Sequence, residues 1–200
     1  NFTANPGIYH SAIIVRSGAT GELKANNLSL DGEVINLSGQ KLDATKNWWG
    51  DLNPSDSIKN SGTGSIDYSP WWGEDYANDD HSSAWTWYTN DSIQEAVNVA
   101  TSGDIVNVKA GTYYERVVIN KSLRLYGVQA NVDPRPSVGG RTGVETIVNG
   151  NGSQILQIDA DNVEINGFEF VNGGGYMIDQ KEGPYSSYVF QYNIVHNQNG

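Results

Sequence analysis

Two hundred residues with 12 Lys+Arg against 23 Asp+Glu, 38% hydrophobic and 18% charged, suit one large domain or two small ones and exclude a disordered acidic tail. A formal charge of −11 repels phosphate backbones and anionic headgroups, and no apolar run reaches the roughly 18 residues of a membrane span, so neither a nucleic-acid partner nor membrane insertion is expected. Zero Cys removes disulfides and thiolate chemistry, while 23 Gly with 6 Trp and 11 Tyr favour turn-dense β structure.

In chain order, Leu23, Asn26 and Leu28 set a spacing of apolar, Asn, apolar that returns later. Large rings then crowd between Trp48 and Tyr88: Trp48, Trp49, Trp71, Trp72, Tyr76, Trp85 and Trp87. Residues 73–90 read as an acidic, Trp-rich linker. A helix is predicted over Ser92 to Ala100, because Ile93, Ala96, Val97 and Ala100 recur at i, i+3, i+4 and i+7. Asp91 is its predicted N-cap, with Gln94 completing a capping box. Short strands are predicted at 105–108, 117–119, 123–126, 146–148, 155–158 and 163–165, where apolar residues alternate between Gly, Asn, Asp or Ser breaks. Dipeptides such as Asn149-Gly150 also suit hairpin turns, which would make the pairing antiparallel.

Internal repetition decides for parallel stacking. Ile165, Phe168 and Phe170 superimpose on Phe190, Asn193 and Val195 with a shift of 25 residues. Leu125, Val128 and Ala130 match 40 residues earlier, the excess being assigned to the loop Asn131 to Glu145. A repeat of that length holding three short strands marks a solenoid of coils, each strand lying about 4.8 Å from its equivalent in the next coil. An inward Asn, such as Asn193, is expected to bond along the stack.

The segments Ser92-Ile93-Gln94-Glu95-Ala96, Gly103-Asp104-Ile105-Val106, Ala110 to Glu115 and Leu123 to Gly127 resemble the opening of right-handed parallel β-helix repeat proteins, the superfamily holding pectate-lyase-like, pectin-methylesterase-like and surface-protein members. Asp43 to Gly50, followed by Asp67-Tyr68-Ser69-Pro70-Trp71, resembles the closing segment of many bacterial and archaeal members. The resemblance implies an all-β right-handed parallel β-helix with one short capping helix. It divides the chain into C-terminal-type coils and closing segment at 1–72, the linker at 73–90, and a capping helix with first coils at 91–200. A tail preceding a head implies a piece of a longer tandem protein, or a subunit whose ends neighbours complete. Head-to-tail stacking of copies is therefore an expected partnership.

Rings in this stretch either close the solenoid's apolar end or stack on sugar faces; Trp85, Trp87 and Tyr88 are the candidates for carbohydrate contact. Glu74, Asp75, Asp79, Asp80 and Asp91 surround His81 with oxygen donors of the kind Ca2+ takes, but without an Asp-x-Asp-x-Asp-Gly loop a solvated linker is the plainer reading. His10, His81 and His196 lack metal spacing, so no metal ligand and no other cofactor is assigned. Members of the family that cleave polysaccharide use carboxylates, or acidic Ca2+ ligands with an Arg or Lys. Arg116, Arg124, Arg135 and Arg141 are present, yet no acidic cluster is expected in their ladder register; Asp159, Asp161 and Glu164 come nearest. No catalytic residue is assigned. Six Asn-x-Ser/Thr triplets, at Asn1, Asn27, Asn36, Asn90, Asn120 and Asn151, would permit glycosylation of a secreted chain. The expected function is a rigid, non-catalytic extracellular or cell-surface module contacting polysaccharide or copies of itself; the alternative is the N-terminal part of a polysaccharide lyase or carbohydrate esterase.

Overall fold

The structure, a computed structural model, describes residues 13–28, 33–60, 63–73, 84–180 and 187–196. The chain divides into two compact units, 1–83 and 84–200.

In the first unit, β1 (Ile13–Val15), β2 (Val34–Asn36) and β4 (Ile58–Asn60) form a parallel sheet, Ile13 lying beside Val34 and Val34 beside Ile58. The two-residue β3 (Leu42–Asp43) and β5 (Ile66–Asp67) pair in parallel, and single bridges join Glu22 to Asp43 and Asn27 to Trp48. A 3-10 turn at Pro54–Ser57 leads into β4, and β6 (Trp71–Trp72) closes the described part, where Trp72 N donates to Asn47 O. Val34, Leu42, Ala44 and Ile66 form the core. Trp49 and Trp71 are buried around Tyr68, its ring 6.5 Å from Trp49 and 5.7 Å from Trp71. Three rings thus fill the space between these short strands.

Asn26, the Asn of the recurring spacing, donates from its backbone N and from Nδ2 to an Asn of the closing segment. Asn47 is fully buried; its Oδ1 accepts from Asn26 N at 2.9 Å while its Nδ2 donates to Ala44 O at 2.6 Å and to Leu23 O.

The second unit runs β7 (Thr86–Thr89), α1 (Ile93–Val99), β8 (Ile105–Val108), β9 (Gly111–Tyr113), β10 (Val117–Ile119), β11 (Arg124–Tyr126), β12 (Thr146–Asn149) and β13 (Leu156–Ile158). β14 (Val163–Asn166), β15 (Glu169–Val171), β16 (Ile178–Gln180), β17 (Tyr188–Gln191) and β18 (Ile194–His196) follow. Successive strands go to different sheets, and equivalent strands stack in parallel as β7-β8-β11-β14-β17, β9-β12-β15-β18 and β10-β13-β16. Many short parallel strands in stacked sheets, with one short helix, give a β-solenoid-like architecture. The hairpin alternative fails because Asn149-Gly150 carries the chain from one sheet to another.

Each inward ladder is apolar. Trp87, Val106, Leu125, Ile165 and Phe190 are register neighbours, as are Tyr113, Val148, Phe170 and Val195. Val106, Leu125, Ile165 and Phe170 are at most 2% exposed, each contributing about 1.5–3 kcal/mol by burial. The pairs Ile165–Phe190 and Phe170–Val195 fall where the 25-residue shift puts them. Asn193 lies next to Phe168 in the stack: its Oδ1 accepts from Phe168 N and its Nδ2 donates to Ile165 O, both at 2.9 Å. It bonds to backbone, not to another Asn.

Leu125 pairs with Ile165 as expected, but the partner of Phe170 is Val148, not Ala130. The insertion begins right after Gly127, because Gly167 comes so close there that a Cβ on it would overlap the backbone of Gln129 and Ala130. Gly167 also has φ +84°, where glycine is unstrained.

The helix cap differs from expectation by one residue. Ser92, not Asp91, is the N-cap, its hydroxyl accepting from Glu95 N at 3.1 Å. Gln94 does not reach back to close a box; its Oε1 accepts from Val118 N at 2.6 Å, satisfying the edge of β10. The linker also ends earlier than expected: residues 86–89 are β7, paired with β8 inside the second unit.

Candidate functional site

Side chains that alternate with the core ladders form the outer face of β8, β11, β14 and β17. Ile105, Arg124, Glu164 and Val189 make one outer row, and Asn107, Tyr126, Asn166 and Gln191 the next. Tyr88 continues the second row beside Asn107, with Lys109 Nζ 4.9 Å from its ring centroid, within cation–π range.

Glu164 is the centre of this face. Its Oε2 accepts from Tyr126 Oη at 3.0 Å, and its Oε1 from Gln191 Nε2 at 3.0 Å and Asn166 Nδ2 at 3.2 Å. Partial burial, and then the bond to the Glu164 carboxylate, push the Tyr126 phenol above its ordinary pKa, so it remains a neutral donor. Asn166 is fully buried although it points outward, because the insertion folds over it: Asn131 N donates to its Oδ1 and its Nδ2 donates to Asn131 Oδ1, both at 2.9 Å. The insertion therefore covers the C-terminal end of β14, while the other end stays open.

At that open end a groove of about 330 Å³ crosses successive coils, lined by Gly103, Ser122 to Arg124, Asn162 to Glu164 and Ser187 to Val189. Tyr188 and Val189 give it an apolar wall, each nearly half exposed. Arg124 lines the groove, its Nη2 donating to Gly103 O at 3.4 Å and its guanidinium also acting on the Tyr126 phenol. Of the acids that the sequence put nearest to the Arg residues, Glu164 alone is a direct register neighbour of one, Arg124.

The other candidates disperse. Trp87 points into the core, 6% exposed, and donates from Nε1 to Asp104 Oδ2 at 3.0 Å. Trp85 is half-buried, its backbone N–H bonded to Asp104 Oδ1. Tyr88 lies on the outer face and Trp87 on the inner one, because strand alternation separates them. Asp104, missed in the sequence, is a buried carboxylate that also accepts from Thr101 N at 2.7 Å. Arg116 bonds Gln157, Arg135 bonds Asp133, and Asp159 accepts from Gln157 Nε2 at 2.8 Å. Asp161 Oδ1 accepts from Ser187 N at 3.2 Å, as a turn residue. Arg141, 1% exposed in its side chain, lies 3.2 Å from Glu145 and donates to Phe168 O and Tyr192 O, clipping the insertion to two successive turns. His196 pairs with Glu169 at 2.7 Å.

Among the sequons, Asn36 is fully buried and its Nδ2 donates to Gln40 O and Ser65 O, leaving no room for a glycan on the folded chain. Asn27 is half-buried; Asn90, Asn120 and Asn151 are exposed. Asn1, His10, Glu74, Asp75, Tyr76, Asp79, Asp80 and His81 lie outside the described residues, so the proposed Ca2+ donors have only Asp91 within them. Among the described residues no three His, Asp or Glu side chains converge on a metal position, and no helix is long and apolar enough to cross a membrane.

Comparison with protein-family models, curated proteins and solved structures returned no match.

Proposed function

We propose that this chain is a rigid, non-catalytic module of an extracellular or cell-surface protein, a right-handed parallel β-helix whose outer groove contacts a neutral polysaccharide. The observation that carries the reading is the groove beside Arg124 and Glu164, which takes residues at equivalent register positions from successive coils. A step of about 4.8 Å between coils is close to the advance of one sugar ring in an extended glycan, so successive rings would meet equivalent positions. Arg124 and Glu164 balance each other locally, and the −11 charge of the chain disfavours polyanions. Both Glu164 oxygens are already engaged by Tyr126, Asn166 and Gln191, which suits a fixed acceptor more than a proton-transferring base.

Calorimetric titration with neutral and uronate oligosaccharides of increasing length tests this. Affinity for the neutral series is expected to rise with length until the groove is spanned, and Arg124→Ala to weaken it about tenfold, the loss of one charge-assisted hydrogen bond. Tighter binding of uronates, or release of unsaturated or de-esterified products by the chain, would favour the lyase or esterase alternative.

A further inference from the structure

Asn-Gly pairs recur at the turns of the second unit, and the fold treats them differently. Gly150 N donates to Val171 O at 3.0 Å and Gly152 N to Asn172 O at 2.7 Å, so the amides that follow Asn149 and Asn151 are both held. Asn166 is fully buried, with Oδ1 and Nδ2 both bonded to Asn131. Asn172-Gly173 is the exception: among the described residues neither the Asn172 carboxamide nor Gly173 N has a hydrogen-bond partner. Asn172 also has φ +53° and lines, with Asn149, Asn151 and Gly174, an open polar depression of about 470 Å³ that admits water.

We propose that Asn172 is a site of spontaneous backbone modification in the folded chain. Gly173 N attacks Asn172 Cγ, the new N–Cγ bond closes a succinimide, and the Cγ–Nδ2 bond breaks. Nδ2 leaves as ammonia, carrying the proton that Gly173 N gives up. Water from the depression then opens the ring at either carbonyl, leaving aspartate or isoaspartate. No oxidant, enzyme or cofactor is consumed. In the isoaspartate product the backbone runs through Cβ and Cγ, one methylene longer, and the carbonyl that receives Gly152 N becomes a pendant carboxylate, which loosens the link between two stacked turns.

The test is incubation of the folded protein in mildly alkaline buffer, with peptide mass mapping and isoaspartate detection over time. Asn172 is expected to convert several-fold faster than Asn149, Asn151 or Asn166, with amide exchange at Gly152 speeding up as it does. The same mapping in concentrated urea should erase the ranking. Equal rates at Asn149 or Asn151 in the folded chain, no conversion at Asn172, or an unchanged ranking in urea would each overturn the proposal.

Discussion

Asn47 and Asn193 occupy equivalent turns in different units and make the same pair of bonds, accepting from the backbone N–H three residues after the carbonyl to which they donate. A carboxamide is suited to this because it carries donor and acceptor on one short stem, and each turn leaves a backbone group of each kind with no strand opposite. Asn47→Ala strands Asn26 N, Leu23 O and Ala44 O away from water, and should cost about 2 kcal/mol or more in urea unfolding. Gly167→Ala should be at least as damaging by the same measurement, since it adds left-handed strain to an overlap with the insertion's backbone. Tyr113 offers a titration test. Burial first, and the Glu115 and Asp91 carboxylates next, push its phenol up to about 12 from 10.0. The folded state thus retains a proton that the unfolded chain loses, so this stabilisation is complete below pH 10.0 and disappears as pH rises toward about 12. Alkaline absorbance titration should show late-ionising tyrosine absorbance, Tyr126 contributing as well, of which Tyr113→Phe removes the share that titrates near 12. The task of Asn193 was legible because the apolar-Asn-apolar pattern repeats; that of Asn47 was not marked by it, nor was the burial of Asn36, because a sequon carries no mark of which way its side chain faces.

At the scale of elements, the short helix is held by the coil it covers. Glu115 accepts from Ile93 N at 2.7 Å and Gln94 N at 3.0 Å at the positive end of α1, while Lys121 Nζ donates to Val97 O and Ala100 O at 3.0 and 2.9 Å at the negative end. Both residues flank β10, so one strand supplies charges for both helix termini. Seven residues are too few for a helix to stand alone in water, so these contacts and the buried Ile93, Ala96 and Val97 decide its existence. Glu115→Ala and Lys121→Met should each lower thermal stability, by about 1–2 kcal/mol, with the helical circular dichroism signal lost before the sheet signal. Periodicity showed the helix plainly. It could not show the cap, because Asp91 and Ser92 are both good N-caps and a distant Glu115 decides between them. The insertion misled the alignment for a related reason: Val128 and Ala130 copy the apolar spacing of a strand, but the close approach of Gly127 and Gly167 turns the chain away there.

At the scale of the molecule, parallel stacking turns a linear pattern into surfaces. Residues far apart in sequence, such as Arg124, Glu164 and Val189, become a single row because each lies one layer from the next. The architecture was legible from the 25-residue shift, which survives in the pairing of Ile165 with Phe190. The candidate groove was not, because its residues are ordinary ones in sequence, and become a site only through register. The aromatic cluster drew attention instead, yet its rings serve packing: Trp49, Trp71 and Trp87 are buried.

The claim beneath the functional reading is that equivalent positions of successive coils stand above one another along one outer row. A Cys-free chain permits paired spin labels at Ile105→Cys and Val189→Cys, three layers apart in that row. Pulsed electron–electron resonance should give one narrow distance near three steps of about 4.8 Å, lengthened only by the label arms. A broad distribution, or a maximum at more than twice that separation, would contradict the stacked row and with it the groove.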